Sequence, residues 1–250
     1  MILKKKTGHW FYPIAALFLA VLMWQLVVTL ADIPIYILPS PLDTVKALLT
    51  DFGMIARHLI ATLYASLLGF TLSVALAFIL AIAMDSFGVV KKSLYPILIV
   101  SQTVPTIAIT PLLIIWFGFG VLPKILIIVL MCFFPICISL VDGFDKVDGD
   151  YLRLFRSIKA NRWQTFYHLK LPHAMVNLFS GLKIAATYML MAAIIGEWQG
   201  GTDGLGVYMV RTKNAYALDK MFASILVIVL ISVALIYLIN KVASRVNHWK

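Results

Sequence analysis

The sequence predicts an all-α integral membrane protein with six transmembrane helices. Of its 250 residues, 62% are hydrophobic and 13% are charged, whereas ordinary soluble domains are about half apolar and about a quarter charged. The mean hydropathy is +0.97, so the surplus of apolar side chains has to face lipid. This composition excludes a soluble enzyme, a disordered chain and a coiled coil. It also excludes a membrane β-barrel, whose lumen-facing positions are polar.

Six stretches are apolar and long enough to cross a bilayer as helices, which takes about 20 residues each. They are Phe11–Ala31, Leu59–Met84, Leu94–Phe117, Ile125–Val141, a stretch within Val176–Gly196, and Met221–Asn240. We expect the first to be retained, because its apolar run exceeds the roughly 7–15 residues of a signal peptide. The start of the fifth stays open, since Lys183 either lies at the membrane surface or extends up to it.

The distribution of charge predicts the orientation of these spans. If the N-terminus is inside, the inner segments are 1–10, 85–93, 142–175 and 241–250, together with Lys183, and the first contains Lys4, Lys5 and Lys6. The inner segments carry 15 basic and 5 acidic residues, and the outer segments carry 6 of each. The net charge of +10 therefore lies on one side, which the positive-inside rule assigns to the cytoplasm. We expect a multi-pass protein of a bacterial plasma (inner) membrane, with both termini cytoplasmic and with lipid rather than nucleic acid as its surroundings.

Side chains suited to enzyme chemistry are scarce. Cys132 and Cys137 lie five apart in an apolar run and are predicted to be small core residues. His168 and His173 have a spacing that does not suit a shared metal on a helix, so we expect them to be solvated and predict no metal site. The sequence has no Ser-His-Asp set and no nucleotide-binding motif, so the chain cannot hydrolyse ATP alone. The lack of acidic residues clearly within the spans counts against a proton- or sodium-coupled carrier.

The third span carries an unusual set of polar residues and prolines: Gln102, Thr103, Pro105, Thr106, Thr110 and Pro111. Each proline removes a backbone donor and clashes with the preceding turn. At membrane depth a broken backbone is tolerated where protein packs around it or where it lines a wet cavity. Two interpretations stay open, namely a kinked packing helix and a helix that lines a translocation path.

The inner segment 142–175 is the longest and most basic of the predicted loops. Apolar residues recur at 151, 154, 155 and 158, and basic residues at 153, 156, 159 and 162. This pattern predicts a short amphipathic helix with a cationic edge. A second helical turn, Trp163–Leu169, is expected to end at Leu171-Pro172. The amphipathic helix either lies on anionic lipid headgroups or docks onto a cytoplasmic partner protein.

Arg156–Gln164, followed by Leu169-Lys170-Leu171-Pro172, resembles the cytoplasmic EAA loop of ABC importer permeases. The pattern of that loop is E-A-A-x3-G-x9-I-x-L-P, which places E-A-A on Arg153-Leu154-Phe155 and the glycine on Lys159. Further motifs are similar, in order, to those of nitrate/sulfonate/taurine-type permeases: Leu38-Pro39-Ser40-Pro41, Pro105-x5-Pro111-Leu112, Trp116-Phe117-Gly118-x-Gly120, Phe133-Phe134-Pro135, Gly181-Leu182-Lys183, Gly196-Glu197 and Gly204-Leu205-Gly206. The resemblance covers nearly the whole chain.

The resemblance implies one permease domain over residues 1–250 that moves a small polar solute inward by alternating access, with a sulfonate/nitrate-like or vitamin-precursor-like solute. The implied partners are a cytoplasmic ABC ATPase dimer that binds ATP and Mg, an external substrate-binding protein and a second permease copy. No cofactor is expected on this chain. The loop 142–175 would hold a coupling helix between the fourth and fifth spans, with ATPase contacts from Arg153, Arg156, Lys159, Ala160, Arg162, Trp163, Gln164, Leu171 and Pro172. With lysine in place of the glycine, we expect the helix to continue through Lys159.

Two further groups of residues complete the functional predictions. Gln102, Thr103, Pro105, Thr106, Thr110 and Pro111 are expected to line the translocation path. Glu197, Trp198, Gly204 and Gly206 are expected to form an outer gate or a contact with the binding protein, although Glu197 would also suit a solvated helix terminus. The main alternative function is a self-contained secondary carrier or channel. A membrane scaffold whose basic loop binds lipid is a second alternative, and a membrane enzyme is disfavoured by the missing catalytic groups.

Overall fold

The computed structural model describes residues 11–246, and every regular element in that range is helical. Lys4, Lys5, Lys6, His9 and His248 therefore lie outside the described residues. The helices are α1 (Phe11–Leu30), α2 (Pro41–Thr50), α3 (Phe52–Ser86), α4 (Gly88–Ser101), α5 (Thr106–Phe117), α6 (Val121–Asp145), α7 (Gly149–Ser157), α8 (Arg162–Thr165), α9 (Leu171–Gly200), α10 (Leu205–Asn214) and α11 (Leu218–Val246). A π-helical turn, Phe166–Lys170, joins α8 to α9.

Five helical segments are long and apolar enough to cross a membrane. They are α1, α3, α6, the segment Arg162–Gly200 that ends in α9, and α11. The pair α4 and α5 forms a sixth span if it is counted as one. Each predicted span falls on one of these segments, so the all-α, multi-pass membrane fold is confirmed.

The third predicted span is not a continuous helix. The axes of α4 and α5 differ by 100° across the break between Ser101 and Thr106. Pro105 immediately precedes α5, a position whose backbone N–H would make no hydrogen bond within the helix, so proline is tolerated there. A proline also disfavours helical backbone at the residue before it, here Val104. Pro111 lies inside α5 without ending it, so only the first proline of the predicted pair breaks the span.

The described chain forms two compact units. The first comprises the described residues through Ala56 together with Tyr208–Val227, and the second comprises Arg57–Val207 together with the described residues from Ile228. In the second unit, α6 and α9 pack against each other along much of their length. A Cβ on Gly143 would lie 2.8 Å from Ala174 Cα, and one on Gly181 would lie 2.8 Å from the Pro135 carbonyl oxygen. Such small residues let membrane helices approach closely.

The two cysteines lie in the core of this second unit. Cys132 and Cys137 are both fully buried on α6, and the Cys132 thiol donates to the Ala185 carbonyl oxygen at 3.3 Å. The prediction that both are small core residues is confirmed. The side chains of His168 and His173 are both exposed, as predicted.

In the first unit, a polar cluster joins the end of α2 to α10 and α11. The Asp51 carboxylate accepts hydrogen bonds from the Tyr208 hydroxyl and from Lys220 Nζ, the latter at 3.2 Å. The bond from Tyr208, helped by Lys220, holds the pKa of Asp51 below its ordinary value, although burial acts in the opposite direction. Burial and the neighbouring carboxylate raise the pKa of Tyr208. The cluster therefore stabilises the fold while Asp51 is ionised.

This lowered pKa predicts a pH-dependent stabilisation by the hydroxyl of Tyr208. Tyr208→Phe is expected to reduce the free energy of unfolding by about 1–2 kcal/mol at neutral pH, because a hydrogen bond to a charged acceptor is lost. A carboxyl group with a lowered pKa stabilises the fold above its ordinary value and loses that effect as the pH falls. The difference between variant and wild type should therefore shrink below pH 3.8, the ordinary pKa of the group. Thermal unfolding in detergent as a function of pH measures it.

Tyr36→Phe is the control for this measurement, because Tyr36 is an exposed tyrosine of the same unit. It should leave the stability unchanged at every pH. A deficit in Tyr208→Phe that stayed constant down to pH 2 would contradict the assignment of the stabilisation to the ionised Asp51.

Candidate functional site

The segment between α6 and α9 contains the predicted amphipathic helix. The Asp148 side chain caps α7 by accepting the backbone N–H of Asp150 at 2.9 Å. Tyr151 and Leu154 on its apolar face are exposed. The amphipathic helix is therefore present, and within residues 11–246 nothing covers Tyr151 and Leu154 on its apolar face.

The prediction that the helix continues through Lys159 is wrong. α7 ends at Ser157, and Lys159 adopts left-handed backbone with φ +56°. The Ala160 N–H donates to the Phe155 carbonyl and the Lys159 N–H donates to the Arg156 carbonyl, both at 3.0 Å. This pair of bonds is the Schellman motif, which usually has glycine at the left-handed position. Lysine here thus adopts the conformation that the glycine of the EAA pattern would favour.

The next helix begins with a capping box. The Asn161 side chain accepts the backbone N–H of Gln164, and the Gln164 side chain accepts the backbone N–H of Asn161, both at 2.8 Å. Gln164, which was predicted as an ATPase contact, thus has a local structural role. The two neighbouring motifs explain why the chain turns at Lys159, because the Schellman motif closes α7 just before the box opens α8.

The prediction that the second helical turn ends at Leu171-Pro172 is also wrong. α8 continues through the π turn into α9, and Pro172 lies in the first turn of α9. The Leu171 N–H donates to the Phe166 carbonyl, five residues earlier. Proline normally clashes with the carbonyl four residues before it, and the wider π register accommodates the ring. The loop is therefore helically continuous with the fifth span.

Between Gly149 and Tyr167 the chain exposes large apolar side chains among basic ones. We call this set the coupling surface; its apolar members are Tyr151, Leu154, Ile158, Trp163 and Tyr167, and its basic members are Arg153, Arg156, Lys159 and Arg162. Trp163 is 76% exposed. The pair of Arg153 with Asp150, at 3.4 Å, is almost fully exposed and contributes little. Clustered apolar exposure of this kind indicates a contact surface rather than a merely solvated face.

Aromatic and ionic contacts anchor the coupling surface to the spans. The Phe166 ring lies 6.4 Å from that of Trp163 and 5.5 Å from that of Phe144 on α6, centroid to centroid. Lys170 of the π turn pairs with Asp85 on α3 at 2.7 Å. Phe144 and Asp85 lie far in sequence from Phe166 and Lys170, so no local sequence pattern indicates these two contacts.

Two further contacts join α4 to the end of α6. Lys91 pairs with Asp145, and the Tyr95 hydroxyl donates to the Asp142 carboxylate at 2.8 Å. Both lie one to three turns before the break that separates α4 from α5. The first half of the broken span is thus held to the helix that leads into the coupling surface.

A cavity of about 530 Å³ lies at the break in the third span. We call it the break cavity; it is lined by Ser101, Gln102, Val104, Thr106, Ile109, Leu130, Met131, Phe134, Pro135, Tyr188 and Met191. Of the predicted path residues, Gln102 and Thr106 line it. Thr103 and Thr110 instead donate to carbonyls of their own segment, those of Val100 at 2.7 Å and Thr106 at 3.0 Å. Gln102 and Thr106 thus suit a helix that lines a path, whereas Thr103 and Thr110 suit a kinked packing helix.

Glu197 is not a solvated helix terminus, because it is 2% exposed. Its carboxylate accepts the backbone N–H of Gly206 at 2.8 Å and the Thr62 hydroxyl at 2.9 Å. Lys124, 6% exposed, supplies the nearby positive charge and donates to the Asp203 carbonyl at 2.6 Å. The carboxylate therefore ties the segment after α9 to α3, and Lys124 ties it to α6.

Two further acceptors hold this loop, and both come from α3. The Gly204 N–H donates to His58 Nδ1 at 3.1 Å, and the Leu205 N–H donates to the Thr62 hydroxyl at 2.8 Å. Of the predicted gate residues, Glu197, Gly204 and Gly206 come together, whereas Trp198 is exposed. Sequence reasoning did not single out Thr62 and Lys124, which lie far from the loop in sequence.

Comparisons with known proteins give consistent relatives. The family described as "Binding-protein-dependent transport system inner membrane component" matches residues 69–248. A probable ABC transporter permease protein of Haemophilus influenzae is 33% identical over 93% of this chain and 95% of its own. The formylaminopyrimidine transport permease protein ThiX of Halalkalibacterium halodurans is 30% identical over 95% of each chain. The taurine transport system permease protein TauC of Escherichia coli is 32% identical over 92% of this chain and 87% of its own.

Solved structures share the fold. A crystal structure of an amino acid ABC transporter with histidines aligns with a TM-score of 0.63 and 16% identity, over 82% of this chain and 98% of that one. An inward-facing MetNI methionine ABC transporter aligns with a TM-score of 0.61 and 16% identity, over 77% and 94%. At this identity the likeness concerns the fold alone.

The left-handed Lys159 predicts that glycine stabilises the loop. A residue with a Cβ costs about 1–2 kcal/mol in this conformation, so Lys159→Gly should slow hydrogen exchange at the Lys159 and Ala160 amides roughly fivefold, the equivalent of about 1 kcal/mol. Lys146→Gly is the matched control, because Lys146 caps α6 with φ −77° and gains nothing from glycine. Faster exchange in Lys159→Gly would contradict the Schellman assignment.

The packing around Glu197 predicts that Gly204 tolerates no side chain. A Cβ on Gly204, whose φ is +125°, would lie 2.1 Å from the Glu197 carboxylate. Gly204→Ala should therefore destabilise the protein by about 3 kcal/mol through overlap and backbone strain. Gly88→Ala is the control, because nothing lies within 4 Å of a Cβ there. Equal melting temperatures of the two purified variants would show that the loop is not held as described.

Proposed function

The chain belongs to the family of binding-protein-dependent transport inner membrane components, and on this premise we propose that it imports a small polar solute by alternating access. It is the permease subunit of an ABC importer rather than an enzyme, and it works with an ATPase and a substrate-binding protein. In our proposal ATP and Mg bind the partner ATPase. A ligand that binds two states unequally shifts their populations, and ATP on the partner would be that ligand.

The coupling surface is the observation that carries this proposal. Its exposed Trp163, Leu154 and Ile158 provide an apolar centre, and its four basic residues surround that centre with positive charge. Protein interfaces are typically built in this way, with aromatic anchors and arginine enriched at the contact. We propose that this surface docks into a groove of the ATPase, with Ala160, Leu171 and Pro172 contributing to the shape of the segment. Arg153 stands where the EAA pattern has glutamate, so we expect an acidic patch opposite it.

The loop is built to transmit displacement into the spans. It continues helically through the π turn into α9, and Lys170 holds that turn to α3 through Asp85. Phe166 packs on Phe144 at the end of α6. π turns inside helices frequently lie at functional sites. Movement of the coupling surface would therefore reach α3, α6 and α9 together.

The arrangement in the membrane follows from charge. We propose that both termini and the coupling surface are cytoplasmic, because the basic residues concentrate in those segments. The loop from Gly200 to Gly206 would then lie at the outer face, where it would form the gate or the contact with the binding protein. A second copy of this permease would complete the transporter in a bacterial inner membrane.

The names of the relatives point to two chemical classes of solute. ThiX of Halalkalibacterium halodurans is named for a formylaminopyrimidine and RibX of Chloroflexus aurantiacus for riboflavin. TauC of Escherichia coli is named for taurine and SsuC of Bacillus subtilis for aliphatic sulfonates. Their identities to this chain lie between 26% and 32%. The two classes therefore cannot be told apart by sequence identity.

Truncating the apolar centre of the coupling surface tests the proposal. Trp163→Ala and Leu154→Ala should each weaken association with the ATPase, Trp163→Ala by about 30-fold or more, because a buried tryptophan anchor contributes at least about 2 kcal/mol. Pull-down and ATPase turnover of the permease–ATPase complex in nanodiscs measure this. Trp116→Ala is the control, because Trp116 is an exposed tryptophan on α5, outside the coupling surface.

The alternatives give different results in the same preparations. Unchanged ATPase association in both variants would refute the coupling surface. Solute flux through liposomes without any ATPase would indicate the self-contained carrier or channel. If the segment only binds lipid, its variants would lose flotation with anionic vesicles and keep ATPase turnover.

A further inference from the structure

We propose that the break cavity is the solute-binding site of this permease, and that it accepts an uncharged, flat heteroaromatic molecule rather than a sulfonate or nitrate anion. The inference rests on the proposed function, since it names the solute class of the same transporter. It comes from the lining of the cavity, which decides between the two classes that sequence similarity leaves equal.

The position of the cavity suits a transported solute. It opens where α4 and α5 separate, and residues of α6 and α9 complete its lining. Leu130 and Pro135 lie near the middle of α6, and Tyr188 lies near the middle of α9. Its volume of about 530 Å³ falls within the roughly 300–1,000 Å³ of small-molecule sites. Broken helices at membrane depth are a recurrent setting for transported solutes.

The charge of the lining argues against an anion. None of the lining residues, all of which lie in the described part of the chain, is charged. Lys124, at the start of α6, donates to the Asp203 carbonyl in the loop after α9 and does not line the cavity. Lys183 lies about 140° around α9 from Tyr188 and about 12 Å along the helix axis from Met191, and it does not line the cavity. A desolvated anion would thus find no counter-charge in the lining of the cavity, and an uncompensated charge at this depth is strongly disfavoured.

The apolar lining matches a flat aromatic ring. Phe134 and Tyr188 offer aromatic faces, which stack favourably on other rings. Met131 and Met191 contribute flexible thioethers that adapt to ring edges. Four such side chains around one cavity provide dispersion contacts to a planar ligand. They provide nothing comparable to a small, strongly hydrated anion.

The polar lining matches a ring that carries both donors and acceptors. The exposed amide of Gln102 presents one donor group and one acceptor side by side. A glutamine amide pairs in this bidentate way with the ring nitrogen and amino group of adenine. The Tyr188 hydroxyl adds a second group able to donate or accept. An amino-substituted pyrimidine or a related heterocycle would contact the apolar lining, the Gln102 amide and the Tyr188 hydroxyl together.

Equilibrium binding of two small probes to the permease–ATPase complex in nanodiscs tests the proposal. Cytosine is the uncharged heteroaromatic probe, and ethanesulfonate is the anionic probe. We expect saturable binding of cytosine and none of ethanesulfonate. Phe134→Ala and Gln102→Leu should each weaken cytosine binding at least tenfold. Phe133→Ala is the matched control, because Phe133 neighbours Phe134 but does not line the cavity.

Each other outcome overturns the inference. Binding of ethanesulfonate, no binding of cytosine, or cytosine binding that survives both cavity variants would show that the site or its solute class is wrong. Melting temperature and ATPase association are measured on the same preparations, so a variant that fails to fold is recognised. If the wild-type chain does not associate with the ATPase, the proposed function is refuted. If it associates with the ATPase but binds ethanesulfonate or fails to bind cytosine, only the solute class is refuted.

Discussion

The whole structure depends on one constraint, which is that no backbone N–H or C=O can be left without a partner where water is excluded. Long uninterrupted helices meet it within the spans. Where the third span breaks, Pro105 removes a donor that would need a partner, and the Thr103 hydroxyl bonds the Val100 carbonyl at the end of α4. Residues of the break therefore help to satisfy its backbone hydrogen-bonding groups. The space that the break opens is the break cavity.

The same constraint shapes the two segments at the ends of the spans. After α9, the N–H groups of Gly204, Leu205 and Gly206 find acceptors in His58, Thr62 and Glu197. Between α6 and α9, the Schellman bonds at Lys159 close one helix and the box at Asn161 opens the next. In each case side chains or reciprocal backbone bonds replace the helical ladder, and this fixes the loop in a definite shape that a partner protein can recognise.

The parts of this structure that follow from local properties could be predicted from the sequence. Hydropathy located all the spans, and periodicity located α7, because both depend on neighbours within a few residues. Lys159 was misjudged because its left-handed conformation belongs to the Schellman motif that closes α7 immediately before a capping box opens α8. The burial of Glu197 depends on Thr62, 135 residues away, and on Lys124. No local pattern contains such a partner, so its position at a span end suggested solvent instead.

The distribution of polar contacts explains how the helices of a permease can be held in place at their ends and still shift against each other in their middle parts. In the second unit, directional charged contacts hold helix ends: Lys170 with Asp85, Lys91 with Asp145, and Glu197 with the loop after α9. The middle of α6 and α9 is packed by alanine, glycine and other apolar side chains. Apolar contacts have no preferred direction and can be exchanged at little cost as helices slide. The proposed alternating access would use this combination, because fixed helix ends pass on the displacement and a largely apolar middle can repack around a solute.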